Sequence, residues 1–230
     1  MFGKGDNGQG IVSMTDREKH KRMAPLRLLE TYWQGLAGLT GEVPLRSQID
    51  PRGIESALEF AFLGERIAPS LAKLRVAGTH LNELMGMETG GMPLSALFTP
   101  AARDRLGEAL ARVFSEGAMV RLDVAGEEGF GKTALEGHVL ILPLRSDMGD
   151  MTRMIGMLVT TGRIGRTPRR FTITACTVEP ALGAKPQPSL PEPEASRKQL
   201  TELAEPAASF THKPRRTGKH PYLRLIVSND

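Results

Sequence analysis

The first regular pattern along the chain is a helical one that follows Pro25. Leu29, Tyr32, Trp33 and Leu36 recur at helical spacing, which places them on one face of an α-helix. Proline suits the first turn of a helix, where its missing amide proton is not needed. The pattern therefore predicts an amphipathic helix near the N-terminus, and this helix carries the only tryptophan of the chain.

Further along, apolar and polar residues alternate, or β-branched residues accumulate, in five short stretches. The predicted strands cover 58–66, 71–78, 119–126, 134–146 and 153–162. In the second strand, Leu74 and Val76 are predicted to point inward together. Short turns separate the last three stretches, so antiparallel pairing is expected.

Helical patterns lie between the second and third strands. Two short helices are predicted at 80–86 and 92–98, and a longer one begins at Pro100 after the capping residue Thr99. The apolar stripe of the longer helix consists of Leu106, Ala109, Leu110, Val113 and Phe114. This order of elements predicts an α+β fold: a five-stranded antiparallel sheet with helices on one face, plus the N-terminal helix.

Composition narrows the class of protein without identifying its function. The 230 residues are 40% hydrophobic and 24% charged, which is typical of a globular protein. No stretch is apolar for long enough to cross a bilayer, and the first residues lack the apolar core of a secretion signal. One cysteine and five scattered histidines predict neither a disulfide nor a metal site. We therefore expect a cytoplasmic protein without membrane insertion.

Charge and proline are concentrated in the C-terminal part. Residues 163–230 hold nine of the 16 prolines and carry a net charge of +6, whereas residues 1–162 carry a net charge of −2. Proline removes a backbone donor, and a segment with few large apolar residues cannot offset the entropy of ordering. The predicted organisation is a flexible segment at 1–24, a folded domain at 25–162 and a basic, Pro-rich mobile tail at 163–230.

Several strings in this domain resemble a small family of bacterial proteins with a single PAS domain. They are the helix with Tyr32-Trp33, the link from Pro44 to Pro51, the run from Leu74 to Gly86, and the runs from Leu140 to Ser146 and from Arg153 to Val159. The order of two strands, a helical crossing, a long helix and three strands is also similar to that of a PAS domain. The resemblance covers roughly 25–162.

This resemblance implies a non-catalytic sensory or adaptor protein of bacterial signal transduction. Such a protein acts by contact with other signalling proteins, and a homodimer is one form this contact takes. Some PAS domains hold heme, flavin or a small organic ligand. Cys176 lies in the predicted tail, whereas flavin photosensors of this type carry a reactive cysteine in a helix, so flavin photochemistry is not expected. No cofactor is expected, and heme or a small organic ligand stays open.

The candidate ligand-pocket residues follow from the predicted strands and short helices. His80 comes directly after a strand, near where a PAS pocket would open, and a neutral imidazole there is either a heme ligand or a surface or capping histidine. Methionines adapt to irregular apolar cavities, which adds two of them to the set. The candidates are His80, Met85, Val120, Leu122, Ile141 and Met157.

The candidate interaction residues are Tyr32, Trp33 and Arg46. Exposed tyrosine and tryptophan often anchor interfaces, so the helix around Trp33 is a candidate docking element. Packing of this helix against its own domain is the alternative. Arg46 lies in the link, where an ion pair with a carboxylate would hold the helix to the sheet.

Two sequence motifs suggest other functions. Gly126 to Thr133 reads GEEGFGKT and matches the phosphate-binding pattern that precedes a helix. The residues that follow it predict a strand, so a polar hairpin loop is the preferred interpretation and nucleotide binding the alternative. The basic cluster at 213–224 is an alternative site for nucleic acid, which is not the expected partner because prolines and glutamates dilute the charge of the tail.

Overall fold

The computed structural model describes residues 21–182. Three α-helices lie wholly within this range. They are α1 (Ala24–Thr40), α2 (Thr79–Met85) and α3 (Arg103–Glu116). Short 3₁₀ turns cover Arg46–Gln48, Pro51–Phe60, Leu94–Leu97 and Pro100–Ala102. The predicted N-terminal helix and the long helix are both present, and the apolar stripe of α3 is buried.

One antiparallel sheet runs through the middle of the domain. Its strands are β1 (Ala61–Ala68), β2 (Leu71–Ala77), β3 (Ala118–Gly126), β4 (Leu135–Leu144), β5 (Arg153–Gly162) and β6 (Phe171–Pro180). Their spatial order is β2-β1-β5-β4-β3-β6, and every neighbouring pair is antiparallel. The predicted α+β fold with an antiparallel sheet is confirmed.

The sheet has one strand more than predicted. β6 pairs with β3 along its whole length, from Ala118 opposite Pro180 to Gly126 opposite Phe171. This strand lies inside 163–230, so the assignment of residues 171–180 to a mobile tail is wrong. Residues 171–178 read FTITACTV, in which threonine and apolar residues supply the β-branched pattern of a strand. Residues 1–20 and 183–230 lie outside the described part of the chain.

Both faces of the sheet are covered by helices. α2 and α3 pack on one face, which we call the inner face, and α1 packs on the opposite, outer face. β4 shows the consequence most clearly, because Val139 and Ile141 are buried on the inner face while Leu140 and Leu142 are buried on the outer one. The continuous apolar run of β4 thus reflects burial on both sides rather than on one.

The pairing of β1 with β2 contains a bulge that changes one predicted orientation. Leu63 is opposite Val76, but the next residue, Gly64, is opposite Leu74, so that Arg75 is the extra residue. A bulge reverses the alternation of side chains beyond it. Leu74 is therefore fully buried, whereas Val76 is 55% exposed, and the prediction that both point inward is wrong for Val76.

Candidate functional site

Four of the six predicted pocket residues come together on the inner face. Met85, Val120, Leu122 and Ile141 belong to one core cluster, and each is at most 4% exposed. They pack with the buried stripe of α3. Met157 does not join them, because it is opposite Leu140 and lies in the outer cluster under α1.

The packing of the inner face decides how well a large cofactor would fit there. Phe62, Phe98 and Phe171 are each at most 2% exposed and belong to the same cluster as the four predicted residues. Side chains thus fill the space between the helices and the sheet. A flavin or heme between them would have to displace these side chains, so the interior as it stands does not fit either group.

His80 lies in the first turn of α2, where it contacts Thr160 on β5 and other protein groups. Its Nε2 is 3.0 Å from the hydroxyl oxygen of Thr160, and its ring meets that of Phe60 edge to face with the centroids 5.1 Å apart. Nδ1 is 4.0 Å from a carboxylate oxygen of Glu83. Burial lowers the pKa of His80, against the opposing effect of the Glu83 and Glu59 carboxylates. Ligation of a metal through Nε2 would require loss of the contact with Thr160.

Trp33 is an internal anchor of α1. The side chain is 1% exposed, and its Nε1 donates a hydrogen bond to the carbonyl oxygen of Pro143 at 2.8 Å. The alternative in which the helix packs against its own domain is therefore the one observed, and Trp33 does not offer an exposed face to a partner.

Tyr32 connects α1 to the link. Its hydroxyl oxygen accepts a hydrogen bond from the amide of Asp50 at 2.7 Å, and its ring lies against Gly53. The Asp50 carboxylate in turn accepts from the amide of Arg52 at 3.0 Å and so caps the first turn after Pro51. The link is thus hydrogen-bonded to the helix through the tyrosine hydroxyl and continues into a capped turn.

The ion pair predicted for Arg46 is made by another arginine. Arg145 pairs with Glu42 at 2.7 Å and donates from Nε to the carbonyl oxygen of Val43 at 2.8 Å. Within residues 21–182 the guanidinium of Arg46 has neither an ion pair nor a side-chain hydrogen bond. Its backbone amide donates to the carbonyl of Arg145, because the link runs beside the end of β4.

An open groove lies between the link and the outer face of the sheet. We call it the link groove; its volume is about 510 Å³. Its apolar lining comes from the link and the 3₁₀ segment on one side and from strands β1, β2 and β5 on the other. The main apolar residues are Ile49, Ile54, Leu58, Leu63, Val76 and Ile155. Grooves of a few hundred Å³ with this character are typical of sites for small ligands.

Polar groups occur at the two ends of the link groove. Arg46 stands at the end where the link meets β4, and Glu59 and Thr79 stand at the end where β2 leads into α2. The Gly78 amide donates to the carbonyl of Ala61 at that second end. The groove is therefore lined mainly by apolar residues, with an arginine where the link meets β4 and a glutamate beside Gly78.

The phosphate-binding motif is a loop between two strands. β3 ends at Gly126 and β4 begins at Leu135, so no helix follows the motif and the preferred hairpin interpretation is confirmed. The Lys132 ammonium pairs with the carboxylate of Glu127, and this hydrogen bond holds the pKa of Glu127 below its usual value. The lysine that would reach a phosphate is already paired.

Arg169 organises this end of the sheet, although it was not among the residues predicted from the sequence. The side chain is fully buried. Its guanidinium donates to the carbonyls of Thr133 at 2.7 Å and Glu127 at 3.3 Å, and also to Ile164. The connection between β5 and β6 crosses the ends of β4 and β3, and Arg169 clamps it to the loop beneath. A single arginine in a basic run carries no local signal of such burial.

The single cysteine lies on a strand. Cys176 is opposite Leu122 on β6 and is half-buried, and burial raises the pKa of its thiol. The thiol is therefore on the edge strand next to α3 and not in a helix over a pocket.

The described residues offer neither a metal-binding cluster nor a membrane-spanning helix. No group of three or more His, Cys, Asp or Glu side chains in this range is arranged to hold a metal ion. Across residues 21–182, none of the helices combines the length and the apolar character required to cross a membrane.

Experimentally determined structures that are similar to this chain share little sequence identity with it, and the three described next have TM-scores below 0.5. A light-oxygen-voltage domain described with a flavin analogue is 14% identical, with a TM-score of 0.39 over 49% of this chain and 84% of that one. The light state of the Aureochrome1 domain is 15% identical, with a TM-score of 0.36 over 49% and 88%. An RNA-binding light-oxygen-voltage receptor is 21% identical, with a TM-score of 0.36 over 52% and 36%.

Sequence comparison gives the family. No curated protein matches this chain. The family model described as PAS domain matches residues 21–159, which is more than half of the chain. The match begins just before α1 and ends within β5, so it includes the link and the link groove. The chain belongs to the PAS-domain family.

Proposed function

We propose that this protein is a non-catalytic sensory adaptor of signal transduction. In this proposal, occupation of the link groove is the signal, and the link together with α1 passes it to a protein partner. The observation that carries the proposal is that one wall of the link groove is the segment connecting α1 to the sheet.

The contacts around the link support this coupling. Ile49 and Ile54 line the groove and also belong to the buried cluster that contains Trp33. Between them, Asp50 is bound to Tyr32 of α1. An occupant that displaces this wall therefore disturbs the packing and the hydrogen bonding of α1. A ligand shifts such an equilibrium only by its different affinity for the two arrangements.

Filling the groove with a side chain tests the coupling without knowledge of the natural signal. Val76→Trp adds an indole at the groove, and Ile67→Trp adds one at a position on β1 that is also 55% exposed but does not line the groove. We expect amide hydrogen exchange in residues 24–50 to become several-fold faster in Val76→Trp only. Equal exchange in the two variants would contradict the proposal.

The two other functions suggested by the sequence receive less support. The lysine of the GEEGFGKT loop is paired with Glu127 and no helix follows, so the structure offers no reason to favour nucleotide binding. The basic cluster at 213–224 lies outside the described residues.

A further inference from the structure

The link groove offers open space to a ligand, and the packed interior of the domain does not. The inner face is filled by side chains, whereas the link groove is open and about 510 Å³ in volume. Its apolar surface includes exposed side chains such as Val76 and Leu58, 55% and 38% exposed. A small apolar molecule would therefore bind on the outer face of the sheet, in the groove beside the link.

Charge adds a second, independent observation. Two other arginines at this end of β4 and β5 are compensated: Arg145 pairs with Glu42 and Arg153 with Glu65, each at 2.7 Å. Arg46 lines the groove and has no such partner within residues 21–182. A guanidinium binds a carboxylate through two parallel hydrogen bonds, which gives it both strength and direction.

We propose that the link groove is a binding site for an apolar monocarboxylate. Its carboxylate pairs with Arg46, and its hydrocarbon chain lies on Leu63, Val76 and Ile155. This inference rests on the proposed function, because it names the class of ligand that occupies the same groove.

Glu59 is the reason why we expect the groove to select monocarboxylates over dicarboxylates. It stands at the end of the groove away from Arg46, beside Gly78, whose ideal Cβ position is 2.2 Å from the carbonyl oxygen of Glu59. A second carboxylate on the far end of the ligand would meet this negative charge. The site therefore favours a carboxylate with an uncharged tail over a dicarboxylate.

Calorimetric titration of the full chain tests the site with four probes of similar length: decanoate, decanol, decylammonium and decanedioate. We expect decanoate to bind at least about tenfold more tightly than the other three. In Arg46→Gln, decanoate should bind no more tightly than decanol. The matched control Arg52→Gln changes an exposed arginine on the neighbouring turn that does not line the groove, and it should bind decanoate like the wild type. Glu59→Gln should narrow the difference between decanoate and decanedioate.

Unchanged decanoate affinity in Arg46→Gln would overturn the proposal, and so would tighter binding of decylammonium. NMR supplies the location: decanoate should shift the signals of Leu63 and Ile155, and a response confined to Leu122 and Ile141 would place the ligand in the interior instead. If no probe binds while Val76→Trp still accelerates exchange in α1, the ligand class is wrong and the proposed coupling stands.

Discussion

The indole Nε1 of Trp33 donates a hydrogen bond to the carbonyl oxygen of Pro143, 2.8 Å away. The pairing of β4 with β3 ends at Ile141, which is opposite Val120. Pro143 therefore lies beyond the part of β4 that pairs with β3. The helix therefore supplies a donor to a backbone group near the end of a central strand. α1 is an integral part of the domain, and its attachment is both apolar and polar.

Truncation of this anchor should weaken the whole domain. We expect Trp33→Ala to lower the free energy of unfolding by about 3–5 kcal/mol, because it leaves a cavity and an unpaired carbonyl. Urea denaturation followed by circular dichroism measures the change. Leu39→Ala, on the same helix but at a position 82% exposed, is the control and should stay within about 0.5 kcal/mol of the wild type. A loss below about 1 kcal/mol in Trp33→Ala would show that α1 is not needed for the fold.

Arg169 should be essential for stability at the end of β4 that is farthest from Pro143. Its fork reaches the carbonyl of Thr133 on the β3–β4 loop and that of Ile164 in the β5–β6 connection, and the single ammonium of lysine cannot span them. We expect both Arg169→Met and Arg169→Lys to cost about 2–4 kcal/mol of unfolding free energy. Arg166→Met, in the same connection but exposed, should have little effect. Full rescue by lysine would mean that the charge alone, and not the geometry of the fork, stabilises the loops.

These two residues illustrate what the sequence could reveal. The helical spacing around Trp33 is strong, so α1 was predictable, but periodicity does not say whether the apolar face meets its own domain or a partner. Arg169 lies among other basic residues. Because prolines are frequent farther along the chain, the predicted domain ended at residue 162. β6 was missed for that reason, although its alternation of threonine and apolar residues was visible.

Protonation of His80 should make the protein less stable below neutral pH. Burial lowers the pKa of His80 from its usual value of 6.5, so the unfolded chain binds a proton where the folded protein does not. Stability from this group is therefore complete above about pH 6.5 and is lost as the pH falls below it. We expect the urea midpoint of the wild type to fall more between about pH 7.5 and about pH 5.5 than that of His80→Gln. Parallel pH profiles would contradict this assignment.

Two glycines should respond to alanine in opposite directions. At Gly78 an added Cβ would lie 2.2 Å from the backbone oxygen of Glu59, so Gly78→Ala should cost about 2–3 kcal/mol. At Gly35, inside α1, it would meet nothing within 4 Å. Gly35→Ala should therefore raise the stability by about 0.5–1 kcal/mol through the better helix propensity of alanine. Thermal unfolding of both variants checks this, and a neutral Gly78→Ala would mean that the start of α2 can shift freely.

The link groove shows the limit of sequence reasoning most clearly. Its residues come from the link, from β1 and β2, and from β5, and only the fold brings these segments together. Strand alternation predicted that Val120 and Leu122 point inward, and both are buried. Met157 was grouped with them because a strand buried on both faces gives no sign of which face each side chain takes. The exposure of Val76 depends on a one-residue bulge that has no marker in the sequence.

The sixth strand has a practical consequence for any shortened form of this protein. β6 covers β3 along nine residue pairs, and the part of the chain that matches the family ends at residue 159. A polypeptide cut at that point would expose the backbone amides and carbonyls of β3 as a free template for intermolecular pairing, which favours aggregation. It would also lack Arg169, whose guanidinium donates to two carbonyls of the β3–β4 loop. The smallest self-contained version of the domain therefore extends at least to Pro180.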